Sequence, residues 1–93
     1  MKESDIQKKI IDYLHSVGAW TVKTIRCNKS GVPDILCCLD GKFISLEVKT
    51  EIGKTSPIQD RCIKQIKAAG GISAVVRSVD ETKQILKELL NER

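Results

Sequence analysis

Aromatic residues, proline and long apolar segments are scarce in this chain of 93 residues. It contains one Trp, one Tyr, one Phe and two Pro, and its longest uninterrupted apolar run, residues 35–39, has five residues. A membrane-spanning helix needs about 20, which excludes a transmembrane segment. The N-terminal residues lead into an amphipathic pattern and not into the apolar stretch of a secretory signal peptide. We therefore expect the protein to be cytoplasmic.

The composition is that of an ordinary globular domain. Hydrophobic residues make up 41% of the chain and charged residues 30%, which excludes a disordered chain. The length allows a single domain, which we place at residues 1–93. The core of so short a chain is thin because surface outweighs volume, and this favours a homodimer. The net charge of +4 is compatible with a nucleic-acid partner but does not establish one.

The four cysteines, Cys27, Cys37, Cys38 and Cys62, include no C-x-x-C pair of the kind found in zinc knuckles and redox sites. Cys37 and Cys38 are adjacent, so on a strand their side chains point to opposite faces. We interpret all four as small buried apolar side chains in a reducing compartment. A zinc site that they form with His15 is the less favoured alternative, because His15 is expected to be solvated.

Three segments have the apolar spacing of amphipathic helices. The first covers residues 3–17. The second begins at Ser56-Pro57-Ile58-Gln59, which is a capping box with proline at the first helical position, and it runs to about residue 69. The third follows a second capping box, Ser78-Val79-Asp80-Glu81.

Four segments have the composition and alternation of strands. They cover residues 20–26, 34–39, 42–49 and 72–76. In the first, Trp20, Val22 and Ile25 mark the side that we expect to be buried. The Asp40-Gly41 pair between the second and third is a two-residue hairpin signal. The element order is α-β-β-β-α-β-α, which predicts an α/β fold with a hairpin-containing sheet between helices.

The hairpin brings two acidic residues together. With Asp40 and Gly41 as its loop, the numbers of paired residues sum to 81, so Asp34 lies opposite Glu47. Directly opposed residues have Cβ atoms about 5 Å apart, and two carboxylates at that distance repel unless a cation or proton lies between them. Lys49 lies on the same strand face as Glu47. Oxygen ligands of this kind suit Mg²⁺ or Mn²⁺, although two acids on a solvated face could also pair by chance.

The residues in this order resemble a known nuclease superfamily. Gly31-Val32-Pro33-Asp34, then Glu47-Val48-Lys49, then Gln59 at a helix start, with Glu3 in an N-terminal helix, are similar to the PD-(D/E)xK pattern. Within that superfamily the chain resembles a stand-alone VRR-NUC domain of phage, viral or bacterial type. The resemblance covers nearly the whole chain. It implies a restriction-endonuclease-like core with a mixed sheet, in the cytoplasm of a bacterium or a phage-infected host cell.

The resemblance also implies roles for particular residues. Asp34 and Glu47 match the metal-binding acids, and the backbone carbonyl of Val48 is the expected third protein ligand. Lys49 matches the catalytic lysine. Gln59 matches the helix-start glutamine that lies near that lysine, although its capping box would also explain it.

Two further groups of residues follow from the same resemblance. Glu3 matches the acidic residue of the first helix, which in this superfamily often binds the metal through water. The helix dipole also favours a carboxylate there, and Asp5 competes for the role. The approach to the first metal-binding acid is short, so the DNA-contacting loop is expected to be reduced. The candidates for phosphate contacts are Lys23, Arg26, Asn28, Lys29 and Lys54.

The implied activity is hydrolysis of DNA phosphodiester bonds by a Mg²⁺- or Mn²⁺-dependent endonuclease. Similar stand-alone domains and Holliday-junction resolvases act as homodimers on branched DNA, which makes four-way junctions the expected substrate. A catalytically silent DNA-binding or assembly module is one alternative. A nuclease of another specificity, for flaps or for restriction-like sites, is the other.

Overall fold

The computed structural model describes residues 1–90 and contains seven regular elements in the predicted order. No helix in this part of the chain is long and apolar enough to cross a membrane. The elements are α1 (Glu3–Ser16), β1 (Trp20–Lys23), β2 (Ile35–Leu39), β3 (Lys42–Val48), α2 (Pro57–Ala68), β4 (Ile72–Val76) and α3 (Val79–Leu90). Strand β1 ends three residues before the predicted end, and the other bounds agree closely with the expected ones.

The four strands form one mixed sheet in the order β1-β2-β3-β4. The pairs β1–β2 and β2–β3 are antiparallel, while β3 and β4 are parallel. Parallel neighbours cannot be joined by a tight turn, and helix α2 supplies the crossover between β3 and β4. The predicted α/β fold with a hairpin-containing sheet is confirmed.

The hairpin between β2 and β3 has the predicted register. Leu39 pairs with Lys42 and Ile35 pairs with Leu46, and both pairs sum to 81. The loop residues Asp40 and Gly41 have φ angles of 56° and 77°. A two-residue loop of the type that matches strand twist requires positive φ at both positions, which Asp-Gly tolerates. The turn chemistry therefore fixes which residues of the two strands lie opposite each other.

Helices α1 and α3 cover one face of the sheet and enclose the core. The apolar stripe of α1 meets alternate residues of β2 and β3, and α3 closes the cluster beside β4. The apolar residues that recur with the 3.6-residue helical repeat and those at every second position of the strands thus pack into one core. The members that are at most 2% exposed are Ile10, Leu14, Ile35, Cys37, Ile44, Leu46, Val48, Val76 and Leu86.

Helix α2 packs on the opposite face, against β4. Ser45 and Ser73 lie there on adjacent strands and are buried, and their hydroxyl groups hydrogen-bond at 2.7 Å. Gly71 lies against Ile66 of the helix and the ring of Phe43. Within residues 1–90, this face above β1 and β2 is not covered by a helix.

The expectation that Trp20 and Ile25 are buried is wrong. Trp20 is 69% exposed and Ile25, which lies beyond the end of β1, is 91% exposed. Trp20 pairs with Cys38, which pairs with Phe43, so these three side chains form a row on the face that carries α2. The alternation identified the two sides of the strand, but α2 covers that side only near β4.

The interpretation of the cysteines is half correct. Cys37 and Cys62 are buried, but Cys27 and Cys38 are exposed, and all four are free thiols. Burial, followed by the charge of its neighbour Cys38, raises the pKa of the Cys37 thiol to about 11. Cys37 therefore behaves as an apolar core residue. The adjacent pair does point to opposite faces, as predicted.

Candidate active site

Asp34 and Glu47 lie together at the open end of the hairpin. Asp34 immediately precedes β2. Because Ile35 pairs with Leu46, the same register places Asp34 opposite Glu47. The Asp34 carboxylate accepts a hydrogen bond of 2.8 Å at Oδ2 from the backbone N–H of Val48. The backbone of β3 thereby orients the Asp34 carboxylate beside the Glu47 carboxylate.

Glu47 is a buried carboxylate without sufficient polar partners. It is 2% exposed, and its Oε1 accepts no hydrogen bond from any described residue. Burial raises its pKa to about 8, helped by a hydrogen bond with Asp34 and by the charge of that residue, while Lys49 acts in the opposite direction. An unpartnered buried oxygen is costly. The site therefore favours a proton or a cation at Glu47.

Lys49 provides a positive charge next to this pair. It follows β3 directly, and its Nζ lies 3.8 Å from Oε2 of Glu47. The Lys49 side chain is only 13% exposed, so its ammonium is held inside the site and not free in solvent. The structure brings Asp34, Glu47 and Lys49 together as the hairpin register predicts.

The backbone of Val48 faces the same side as Asp34. The N–H and C=O groups of one strand residue point toward the same neighbouring strand. Because the Val48 N–H reaches Asp34, the Val48 carbonyl also faces β2, whereas the next N–H, that of Lys49, turns to Val76 on β4 at 3.0 Å. This orientation suits the predicted role of the Val48 carbonyl as a ligand.

Glu3 contributes to the site through its charge. Glu3 and Asp5 both lie in the first turn of α1. Glu3 is partly buried and its charge raises the pKa of Glu47, whereas Asp5 is exposed. This favours Glu3 as the acid of the first helix. Within residues 1–90, no three His, Cys, Asp or Glu side chains converge on one point, and the water-mediated role of Glu3 stays a prediction.

The hard oxygen donors present fit Mg²⁺ or Mn²⁺. Two carboxylates at one point, one of them with an unpartnered buried oxygen, are the ligand type that these ions prefer, and both ions commonly retain waters in place of further protein ligands. Asp34, Glu47 and the carbonyl of Val48 would hold the ion.

Gln59 completes the predicted capping box at the start of α2. Its Oε1 accepts from the N–H of Ser56 at 2.9 Å, and its own N–H donates to the Ser56 hydroxyl at 3.3 Å. The carboxamide oxygen is thus used by the cap. The amide nitrogen is the group left for a substrate contact, and that role stays a prediction.

The predicted DNA-contacting residues are exposed, and most of them lie in the segment that leads to Asp34. Thr24 ties the two ends of this segment together, since its N–H donates to the Asp34 carbonyl at 2.8 Å and its hydroxyl to the Pro33 carbonyl at 2.9 Å. Arg26 and Lys29 line one small groove of about 140 Å³. The exposed candidates are Lys23, Arg26, Asn28, Lys29 and Lys54.

Gly31 seats this segment against α2. Its φ is +78°, and a Cβ at this position would lie 2.6 Å from the Ile58 carbonyl oxygen. The close approach and the left-handed backbone both require glycine. The Gly31-Val32-Pro33-Asp34 motif thus holds the loop against the helix that carries Gln59.

Arg77 was not predicted as a site residue. Its Nη1 donates to the backbone carbonyls of Thr50 and Gly53, in the loop that follows Lys49. The side chain lies at the end of β4, one residue past the pairing of Val48 with Val76. Knowledge of that parallel register would have placed Arg77 beside Lys49, but nothing local in the sequence provides it.

The fold is that of known domains. No family model matches the sequence, and no curated protein matches it significantly. A solved structure described as a VRR_NUC domain superimposes with a TM-score of 0.80 and 28% identity, over 91% of this chain and 94% of that one. The chain has a VRR-NUC fold. A second structure, a VRR_NUC domain protein, gives 0.78 with 14% identity over 95% and 87% of the two chains.

The VRR-NUC fold confirms the resemblance seen in the motifs and indicates a nuclease-type domain. Folds of this type generally use a divalent metal, in agreement with the donor set at Asp34 and Glu47.

Proposed function

We propose that this protein is a Mg²⁺- or Mn²⁺-dependent endodeoxyribonuclease whose catalytic residues are Asp34, Glu47 and Lys49. The observation that carries the proposal is the buried Glu47 oxygen that lacks a partner, next to a second carboxylate. A protein that only binds DNA gains nothing from such a destabilising pair. The paired acids are explained by a requirement for a cation.

Each of these residues has a distinct task in phosphodiester hydrolysis. A bound Mg²⁺ or Mn²⁺ would lower the pKa of a water and polarise the phosphate. Asp34 and Glu47 would hold the cation, and the Val48 N–H keeps the Asp34 carboxylate in place. The Lys49 ammonium offsets the negative charge that develops on the phosphate. Glu47 takes up a proton when the cation is absent.

The proposed substrate is branched DNA such as a four-way junction. The exposed basic side chains on the segment before Asp34 contact the backbone, which reads charge and shape but carries no sequence information. This segment is short, since only residues 24–34 separate β1 from β2, and it leaves little room for base readout. Selection by DNA structure is therefore favoured over selection by sequence.

The active form is proposed to be a homodimer. Trp20, Cys38 and Phe43 form an exposed row on the uncovered sheet face, and Val22 and Leu36 form the partly buried row beside it. Contiguous apolar surface of this kind marks interaction sites, and a second copy would also thicken the small core. Sedimentation equilibrium should give twice the chain mass of 10.3 kDa, and Trp20→Lys should give monomers. A monomeric wild type that resolves junctions contradicts this part.

The test of the activity is a cleavage panel on four-way junction, flap, splayed and duplex DNA, with Mg²⁺, Mn²⁺ or EDTA. Wild type should cut the junction in either metal, and Asp34→Asn, Glu47→Gln and Lys49→Met should not. Lys67→Met, which removes an exposed charge near the end of α2, is the matched control and should retain activity. Binding of every substrate without cleavage would identify a silent DNA-binding module, and a preference for flaps would overturn the junction specificity alone.

A further inference from the structure

Lys49 directly follows β3 and Arg77 directly follows β4, so the two residues occupy equivalent positions at the ends of adjacent parallel strands. Val48 pairs with Val76, and the Lys49 N–H donates to the Val76 carbonyl at 3.0 Å. From this position the Arg77 guanidinium turns to the loop that follows Lys49. Its Nη1 lies 2.5 Å from the Thr50 carbonyl oxygen, 2.7 Å from that of Gly53 and 3.4 Å from that of Glu51.

The loop of residues 50–53 has few other attachments. One turn hydrogen bond joins the Gly53 N–H to the Thr50 carbonyl at 3.1 Å. Ile52 is 90% exposed, so no apolar side chain at the loop tip anchors it to the core. The guanidinium therefore supplies the principal contacts that fix the loop conformation.

This loop lies against the side chain of Lys49. A Cβ at Gly53 would lie 3.5 Å from both Cβ and Cδ of Lys49, which places the Gly53 backbone beside the aliphatic stem of the lysine. The stem is thereby enclosed, in agreement with the 13% exposure of the Lys49 side chain. Release of the loop would leave the Lys49 ammonium free to move away from Glu47.

We propose that Arg77 is a positioning residue, which holds the 50–53 loop over the stem of Lys49 and so keeps the ammonium beside Glu47. The planar guanidinium suits this task because it presents several donors in a fixed geometry, whereas a lysine is a point donor on a flexible stem. The backbone at Arg77 is itself fixed, since its N–H donates to the Glu81 carboxylate at 3.2 Å. The catalytic consequence rests on the proposed nuclease function, but the effect on Lys49 does not.

The first test measures Lys49 directly. Wild type, Arg77→Met, Arg77→Lys and the control Lys67→Met are treated with an amine-reactive ester, and the acylation rate of each lysine is followed by mass spectrometry. Arg77→Met should raise the rate at Lys49 by about threefold or more through local opening of the loop, and leave the exposed Lys64 unchanged. Arg77→Lys should give an intermediate rate, and it serves as the reporter if circular dichroism shows that Arg77→Met does not fold. An unchanged Lys49 rate in the folded variants overturns the proposal.

The second test separates positioning from a direct DNA contact. Arg77→Met should lower kcat by about 10-fold to 100-fold, the scale expected for a displaced catalytic group, with KM and the salt dependence of binding unchanged. A higher KM with a flatter salt slope would show that Arg77 contacts a phosphate, and it would overturn the proposal. If wild type cleaves no DNA, the nuclease function fails, and the Lys49 acylation rate alone decides the role of Arg77.

Discussion

Strand β3 presents two different surfaces, one to helices α1 and α3 and the other to α2. Ile44, Leu46 and Val48 point to the first and are fully buried in the apolar core. Ser45 and Glu47 point to the second and are equally buried, but both are polar. Because successive side chains of a strand point to opposite faces, one strand supplies a stabilising surface and a chemically active one.

The difference shows how a small domain tolerates a destabilising site. The α1/α3 face buries apolar area, which is the main favourable term in folding. The α2 face holds a carboxylate whose pKa is raised to about 8 and an apolar row that no helix within residues 1–90 covers. The apolar core and the paired carboxylates thus lie on opposite faces of the same hairpin.

The largest expected effect on stability lies on the α1/α3 face. Ile44→Ala should lower the free energy of unfolding by about 2–5 kcal/mol, through lost burial and a residual cavity. Ile58→Ala in α2 is the matched control. It removes the same side chain, but one that is 47% exposed, so it should cost less. Urea denaturation measures both, and an equal or larger loss in Ile58→Ala would contradict the division between the faces.

The next effect concerns the pH dependence of the metal-free protein. The pKa of Glu47 rises from 4.5 to about 8 on folding, mainly through burial, so the folded state favours the protonated form. This contribution to stability is fully present below pH 4.5 and is lost as the pH rises through 8. The melting temperature of wild type in EDTA should therefore fall across this window.

Glu47→Gln is the control for that pH dependence. It preserves the shape of the side chain but cannot ionise, so its melting temperature should change less between pH 5 and 9 and should exceed that of wild type at pH 8. Addition of Mn²⁺ should stabilise wild type most at high pH, because the ion competes with the proton. If the melting temperatures of wild type and Glu47→Gln changed equally with pH, Glu47 would not be the group that causes the pH dependence.

A smaller loss is expected where the loop meets α2. Gly31→Ala forces an alanine into a left-handed backbone conformation and places its Cβ 2.6 Å from the Ile58 carbonyl oxygen. Gly18→Ala is the matched control, because Gly18 has a φ of +86° with no atom within 4 Å of the added Cβ. Gly18→Ala should cost about 1 kcal/mol from the backbone alone, and Gly31→Ala about 1–3 kcal/mol more. Thermal unfolding measures both variants. Equal losses of unfolding free energy in Gly31→Ala and Gly18→Ala would mean that the loop shifts to accommodate the added Cβ at no energetic cost.

Much of the α2-face site could be predicted from local sequence signals. Asp40-Gly41 fixes the hairpin loop, and the loop fixes the register that sets Asp34 opposite Glu47. The Ser56–Gln59 capping box likewise places the start of α2, and both of its hydrogen bonds are present. These features depend on residues that are close in sequence or joined by a tight turn, so the local pattern contains the required information.

Other features depend on how distant elements meet. The exposure of Trp20 follows from the position of α2 over β4, which strand alternation does not determine. The contacts of Arg77 join residues separated by 24 to 27 positions and require the parallel register of β3 and β4. The second capping box was half correct, since Ser78 accepts from the Glu81 N–H but the Glu81 carboxylate reaches the N–H of Arg77.

The smallest effect is expected at the basic residues that lie outside both buried surfaces. Lys29→Ala or Lys54→Ala should each weaken binding to a labelled four-way junction and flatten the plot of log affinity against log salt by about one unit per lost phosphate contact. Both side chains are exposed, so neither variant should change the melting temperature. Fluorescence anisotropy over a salt series in Ca²⁺, chosen to block turnover, measures the slope.

Asp34→Ala is the opposite control, because loss of a negative charge near the DNA should leave the affinity for the junction equal or higher. If neither lysine variant changes the slope, the DNA surface lies elsewhere, whereas the metal-site proposal stands because it depends on the pairing of Asp34 with Glu47.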